Sequence, residues 1–367
     1  MKIIHCADIH LDSKMRSHLS KEQAKERKGE LLNTFHRMVE YAGENDVEAV
    51  LIAGDLFDSR KISVTAINYV KNEIVAHPDL DFYYLQGNHD GGSFADSFEA
   101  LPGNLHVFDS TLTSYHLSSE IVLTGIELDE ENNDRFPNEL AMDVGKINIL
   151  TLHGQIGEYK VKDKAEMIHL DALKNKGIDY LALGHVHGYC YEKLDARGRY
   201  CYPGCLEGRG FDECGEHGFV VLTIDEERHE IAHQFVPFAC RKLFAVSVDI
   251  TNCENTADIL DTMRQRLKEE DIEAKHLVKV ELVGAIDAGC EKNIEVLTAQ
   301  FAASYYYFRI KDKSVYRVDY AQYEKDKSLK GEFIRTVMEK EELSAEEKAA
   351  IIHYGMQALA GEEIGEA

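Results

Sequence analysis

The sequence predicts an α/β fold, on three observations. Short strands of apolar and β-branched residues recur through the first ~240 residues. Each runs into a loop rich in Asp, His, Asn and Gly, and amphipathic helical stretches separate the early ones. Strands alternating with helices are the pattern of sheets covered by helices. In such folds, ligands gather beyond the carboxyl ends of the strands.

"KIIHCADIH" reads as a strand ending at Asp8. "KGELLNTFHRMVEYAGEN" sets Leu31, Leu32, Phe35, Val39 and Ala42 at helical spacing. "VEAVLIAGDLFD" is a strand ending at Asp55, and "VTAINYVKNEIVAH" is a helix with Val64, Ile67, Val70, Ile74 and Val75 on its stripe. "DFYYLQGNHD" ends at Asn88, "KINILTLHG" at His153 and "DYLALGHVH" at His185. After Cys240 the pattern restarts with "KLFAVSVDI", a helix over "TADILDTMRQRLKEED" starting near Thr256 or Asp258, a strand "HLVKVELVG", a helix "KNIEVLTAQFAAS" and the segment "YYYFRIKDKSVYRVDY". The expected organisation is a main domain over 1–240, a small α+β capping domain over 241–318 and a helical tail over 319–367. The run Tyr305-Tyr306-Tyr307-Phe308 fits half-buried strand packing better than base stacking. In the tail, Leu329, Phe333, Ile334, Val337 and Met338 form one apolar stripe, and Ser344 with Glu347 makes a capping box for a last helix carrying Ile351, Ile352, Met356 and Leu359. Those faces pack on their own chain or dock on a partner, and the sequence leaves both open.

Hydrophobic residues make up 44% and charged residues 29%, the balance of a soluble globular protein. No apolar run approaches the ~20 residues of a membrane span. The N-terminus turns polar too early for a signal peptide, so a cytoplasmic location is the default expectation. Eight scattered cysteines, none in a Cys-x-x-Cys pair, read as reduced thiols. Cys201, Cys205, Cys214 and His217 are a weak zinc candidate, with the spacing of no standard finger. The net charge, 41 − 66 = −25, argues against a broad phosphate-binding surface. It leaves room for a phosphate substrate held by bound cations.

The loop residues carry the chemistry. In order they are Asp8-x-His10, Gly54-Asp55-x-x-Asp58, Gly87-Asn88-His89-Asp90, His153-Gly154 and Gly184-His185-x-His187. A capping Asp or a satisfied core histidine explains any one pair. Five groups at successive strand ends call for another explanation, and mixed O and N donors that converge are metal ligands. Asp8, His10, Asp55, Asn88, His153, His185 and His187 are seven donors, too many for one ion with an open position. Two divalent ions sharing a carboxylate fit the number, and such pairs, roughly 3.5–4 Å apart, serve phosphoryl transfer. The neutral Asn ligand suits Mn²⁺ first; Fe, Zn²⁺ and Mg²⁺ are the alternatives.

The set DxH, GDxxD, GNHD, H and GHxH resembles the calcineurin-like metallophosphoesterase family over roughly residues 1–240. The resemblance implies a four-layer α-β-β-α sandwich with a dinuclear site at one edge. It gives Asp8, His10, Asp55 and His187 to one ion. Asp55 bridges to a second, held also by Asn88, His153 and His185. It leaves His89 beside the scissile phosphate, as general acid or to stabilise developing charge, with Asp90 orienting its ring, and Asp58 holding a ligand histidine in place. Residues two apart on a regular strand share a face, but Gly184 ends the strand, so His185 and His187 can feed different ions. "ADIHLDS", "GDLFDS" and "YPGCLEGRGFDECGEHGFVVLTID" resemble the SbcD/YhaO-type DNA-repair exonucleases. That branch implies a cap that contacts DNA and C-terminal helices that dock on an SbcC-like coiled-coil ABC- or SMC-type ATPase, with a homodimer plausible. Asp58 is followed by Ser59-Arg60, unlike the GDxxDRG of the protein phosphatases.

Three functions compete. The first is a metal-dependent DNA exonuclease or endonuclease, in which a metal-bridging hydroxide attacks a phosphodiester. The second is a small-molecule or nucleotide phosphodiesterase on the same site, favoured by the acidic charge. The third is a non-catalytic scaffold, whose mark would be a missing ligand; none is missing.

Overall fold

The computed structural model describes residues 1–15, 19–59, 62–90, 94–157, 167–287, 290–317 and 326–360. Arg60, the end of the strand expected through Tyr320, and residues 319–325 and 361–367 of the expected tail lie outside these. The chain divides into two compact units, Met1–Lys242 and Leu243–Ala367.

The first unit is built on two six-stranded sheets. In the first, β1 (Lys2–Cys6), β2 (Ala49–Ala53), β3 (Asp81–Leu85) and β4 (Leu105–Val107) run parallel. In the second, β5 (Thr113–His116) and β6 (Ile121–Gly125) form an antiparallel pair, and β6 runs parallel to β7 (Ile147–His153). A two-stranded ribbon, β8 (Gln155–Ile156) and β9 (Met167–Ile168), follows β7. Next come β10 (Tyr180–Gly184), β11 (Cys190–Lys193) and β12 (Arg199–Tyr202), with β10 parallel to both β7 and β12. The hairpin of β13 (Gly218–Asp225) and β14 (Glu230–Pro237) then returns to the first sheet and pairs antiparallel with β1.

The two sheets pack face to face. Ile3, Leu51, Tyr83 and Val220 of one meet Leu123, Ile149, Tyr180 and Ala182 of the other in a single core cluster. The outer face of the first sheet, with Ile4, Val50, Ile52 and Phe82, is covered by α1 (Lys21–Glu44) and α2 (Val64–Ala76). The outer face of the second packs Leu150, Leu152, Leu181 and Leu183 against Phe136 and Leu173, which lie on two four-residue helices. The architecture is the α-β-β-α sandwich, thin on the second helical side.

Helix α1 starts at Lys21, well before the expected stripe, behind a capping box formed by Ser20 and Gln23. Its first turns are polar all round, so no periodicity announces them. It buries Leu31, Phe35, Met38, Val39 and Ala42. Helix α2 buries Ala66, Val70 and Ile74, while Val64 and Val75 of the expected stripe point to solvent. Strict four-residue spacing through Ala66 defines the face.

The second unit holds β15 (Leu243–Asp249), β16 (Leu277–Val283) and β18 (Tyr307–Asp312), all parallel in one sheet, and β17 (Ala285–Asp287) paired with β19 (Val315–Arg317). The helices Thr256–Glu269 and Ile294–Phe301 are the crossovers that parallel strands require. The small domain expected as α+β is thus an α/β arrangement. Its first helix is capped by Asn255, one residue before the expected start at Thr256. Tyr305 stacks on the buried Phe308 as part of this core. The helices Leu329–Met338 and Ala345–Ala360 pack through Ile334, Val337, Ile352 and Met356. Ser344 and Glu347 exchange their capping hydrogen bonds at 3.2 and 2.8 Å. Leu329, Ile351 and Leu359 remain exposed. Among the described residues, no helix is long and apolar enough to cross a membrane.

Candidate metal centre

The centre lies where β1, β2 and β3 of the first sheet and β7 and β10 of the second reach their carboxyl ends. The strands stop at Cys6, Ala53 and Leu85, two or three residues short of Asp8, Asp55 and Asn88, whereas His153 is the last residue of β7. The loops stay paired past the strands. Asp8 N–H donates to Gly54 O (3.1 Å) and His10 N–H to Asp55 O (3.0 Å). Across the sheets, His153 Nδ1 bonds Ala53 O at 2.9 Å, and the His185 N–H donates to both Asp8 carboxylate oxygens at 3.0 Å.

Asp8 (φ 51°), His10 (49°), Asp55 (50°) and His185 (102°) all have positive φ. A left-handed turn breaks the alternation of a strand and lets neighbouring side chains aim at one point, at a cost that clusters at functional sites. Glycines provide the clearance. A Cβ on Gly54 (φ 92°) would fall 2.1 Å from His153 Nδ1, and one on Gly184 would fall 1.8 Å from Ala53 O.

Two groups of acid and imidazole result. In Asp8, His10 and His187, and in Asp8, Asp55 and His153, one donor atom per residue lies within 4.8 Å of the others. Asp55 Oδ2 sits 3.9 Å from His10 Nε2 and 3.5 Å from His153 Nε2, so this carboxylate faces both groups. Asn88 Oδ1 is 3.1 Å from His153 Nε2. The His185 ring lies edge-on to that of His153 (5.4 Å), while the His187 ring packs against His10 (5.2 Å), so the two histidines of Gly184-His185-Val186-His187 serve opposite sides. His89 is exposed, its ring 5.5 Å from that of His10, and its N–H donates to Asp55 Oδ1 (2.9 Å).

The far side of each imidazole fixes what the near side offers. His10 Nδ1 faces Asp58 Oδ1 at 3.3 Å, and His187 Nδ1 bonds Glu213 Oε1 at 2.6 Å. A carboxylate only accepts, so the His187 proton belongs on Nδ1 and its Nε2 lone pair faces the centre. His10 Nε2 lies 3.3 Å from His187 Nε2, beside the 1%-exposed Asp8. Imidazole nitrogens and a buried carboxylate this close could all reach one cation, so the donor set fits divalent metal.

The electrostatics point the same way. Burial raises the Asp8 carboxyl above its ordinary range. Burial also works against the Asp55 carboxylate, but the hydrogen bond and charge of His153, with the charge of His10, bring it down to about 2. Burial disfavours the His153 imidazolium, yet Asp55 and Asp8 together raise it to about 9. His185 falls to about 4 through burial and the neighbouring His153. Two buried carboxylates are drawing positive charge into the cluster.

One expected role is corrected. The Asp90 carboxylate accepts from the N–H groups of Leu56, Phe57 and Gly87, at 2.8–3.2 Å, and among the described residues it makes no hydrogen bond to the His89 ring. It ties the Asp55 loop to the Asn88 loop. The thiol and imidazole set also fails to converge: Cys205 Sγ meets His217 Nδ1 at 3.2 Å, but Cys214 is exposed and donates to Phe211 O. Sequence reasoning missed Glu213, Arg209 and Asp12. Arg209 Nη1 donates to Asp58 Oδ1 (2.7 Å), and Asp12 Oδ1 accepts from Asp58 N–H (2.8 Å). Arg209 and Glu213, charged and four apart in a glycine-rich loop, were the available signal.

A family model described as calcineurin-like phosphoesterase matches residues 1–189. The chain is 26% identical over 269 residues to the "uncharacterized metallophosphoesterase YhaO" of Bacillus subtilis, covering 70% of this chain and 64% of the relative. It is 26% identical over 284 residues to the "DNA double-strand break repair protein Mre11" of Aeropyrum pernix, covering 68% of this chain and 64% of the relative. It thus spans just under two thirds of the length of these relatives. The structure of TT1561 of Thermus thermophilus overlaps 64% of this chain and 98% of its own at a TM-score of 0.41 and 14% identity. With the family model matched from Met1 through the Gly184-His185-Val186-His187 loop, the chain belongs to the calcineurin-like phosphoesterase family.

Proposed function

We propose that the chain is a phosphodiesterase that uses two divalent metal ions, Mn²⁺ first among them, to hydrolyse DNA. The observation that carries the metal reading is the pair of acid–imidazole groups sharing Asp8, with Asp55 facing both. The DNA reading rests on similarity to relatives named for double-strand break repair. In this reading Asp8, His10, Asp55 and His187 hold one ion. Asp55, Asn88, His153 and His185 hold the other. Ions held there would supply Lewis acidity toward the phosphodiester. His89, exposed at the rim, donates a proton to the leaving oxygen. Asp90 and Asp58 keep the loops and the His10 ring in register. The SbcD-type assignment extends this to a cytoplasmic repair nuclease, its second unit a DNA-contacting cap. Its terminal helices, with Leu329, Ile351 and Leu359 exposed, would dock on a coiled-coil ATPase.

Incubation with linear duplex and single-stranded DNA in Mn²⁺ tests the substrate, and cleavage is expected. Hydrolysis of a small phosphodiester with no attack on either DNA would instead select a nucleotide or small-molecule phosphodiesterase. The net charge of −25 favours that second reading, because a small substrate needs no long basic groove.

A further inference from the structure

Arg209 lies outside every expected ligand set, yet its guanidinium reaches two carboxylates, Asp58 and Glu213, that face the Nδ1 atoms of His10 and His187. Nη1 donates to Asp58 Oδ1 at 2.7 Å, while Nη2 (3.0 Å) and Nε (3.3 Å) donate to Glu213 Oε1. Asp58 faces His10 from the loop after β2, and Glu213 holds His187 from the loop after β12. His10 follows β1 in one sheet and His187 follows β10 in the other. A planar fork spans two carboxylates in a way a point charge does not.

The reach of that fork is set from behind. Glu207, 1% exposed, accepts from the Thr34 hydroxyl (2.7 Å), the Cys240 N–H (2.5 Å) and Arg27 Nη1 (3.2 Å). Arg27, also 1% exposed, donates through Nη2 to Gly208 O at 2.7 Å. The two residues before Arg209 are therefore fastened to α1, and the Arg209 N–H donates to Glu213 Oε2 at 2.6 Å. Arg209 Nη2 also lies 3.2 Å from His187 Nδ1, but Glu213 is the closer partner at 2.6 Å. The orientation of the His187 ring thus depends on where the arginine holds the Glu213 carboxylate.

We propose that Arg209 is a positioning residue: by bridging Asp58 and Glu213 it sets the Nε2 atoms of His10 and His187 for one shared metal ion. The inference rests on the two-metal reading of the centre.

The test counts Mn²⁺ bound by the full chain and follows its paramagnetic resonance spectrum, with circular dichroism to confirm folding. Arg209→Met is expected to weaken one ion by about 10–100-fold, the usual cost of losing a partner behind a metal ligand. The other ion stays, and the spectrum changes from a coupled pair to an isolated ion. Arg209→Lys keeps the charge without the fork and should recover only part of the lost affinity. Should the methionine variant not fold, the lysine variant carries the test. Two ions at wild-type affinity in a folded Arg209→Met or Arg209→Lys chain would overturn the proposal. His10→Ala separates this failure from that of the underlying reading. If His10→Ala also retains both ions, the two-metal assignment falls; if it loses one while the Arg209 variants lose none, only the role of Arg209 falls.

Discussion

Both units build parallel strands joined by helices, and both place aspartates at or just past strand ends, yet among the described residues only the first unit gathers acids and imidazoles into one group. In the second unit Asp249 is satisfied locally, and Asp312 adds an ion pair with Lys292 to its local bonds. Asp249 accepts from the N–H and hydroxyl of Thr251 (2.9 and 2.6 Å), and Asp312 does the same with Ser314 (2.9 and 2.7 Å). These are turn-closing bonds within two residues. In the first unit, Asp8 accepts from His185, 177 residues away, and Asp55 faces His153 across the sandwich. Among the described residues of the second unit, only Asp271, beyond a helix end, has positive φ outside glycine. A strand-end aspartate is therefore no signal in itself. What distinguishes a centre is that its carboxylates accept from remote loops held in a strained backbone.

Four variants break or sharpen that contrast. Asp55→Ala removes the carboxylate facing both groups and is expected to lower phosphodiester hydrolysis by about 10³-fold, the upper range for loss of one transition-state contact. Metal titration of the same variant should show weaker binding of both ions. His89→Gln should cost roughly 10²-fold in hydrolysis while both ions stay bound, the lower range for losing a general acid. Loss of an ion there would make His89 a ligand. Gly184→Ala drives a methyl group into Ala53 O and should lower stability by about 1–3 kcal/mol, read from a denaturant melt. Asp249→Ala in the second unit removes only two solvent-exposed local hydrogen bonds, so it should barely move the denaturant midpoint and leave hydrolysis within about twofold. A large fall in hydrolysis there would end the contrast.

Much of this was legible in the sequence because residue type and order survive folding. That Asp8, His10, Asp55, His153 and His187 come together could be read from their place after apolar strands. The alternation of strands and helices gave the sandwich its inner layers. What could not be read depends on distance in space. Glu213 acquires its meaning from His187, 26 residues earlier, and Arg209 from Asp58, 151 residues away. Asp90 looked like a partner for its neighbour His89, but backbone N–H groups from two loops claim its carboxylate first. The small unit read as α+β because strand direction leaves no mark on strands so short. The start of α1 was legible in Ser20 and Gln23, and went unread because the turns after it carry no apolar stripe.

The grip of the His185 amide on Asp8 has a thermodynamic consequence. It joins the end of β10 in one sheet to the loop after β1 in the other, and the proposed ligands straddle the same seam. An ion bound there acts as a staple across the sandwich, absent from the unfolded chain. Stability then becomes a function of free metal: at a hundredfold excess over Kd the linkage is worth about 2.7 kcal/mol per site. Chelation should lower the melting temperature of the first unit as well as its activity.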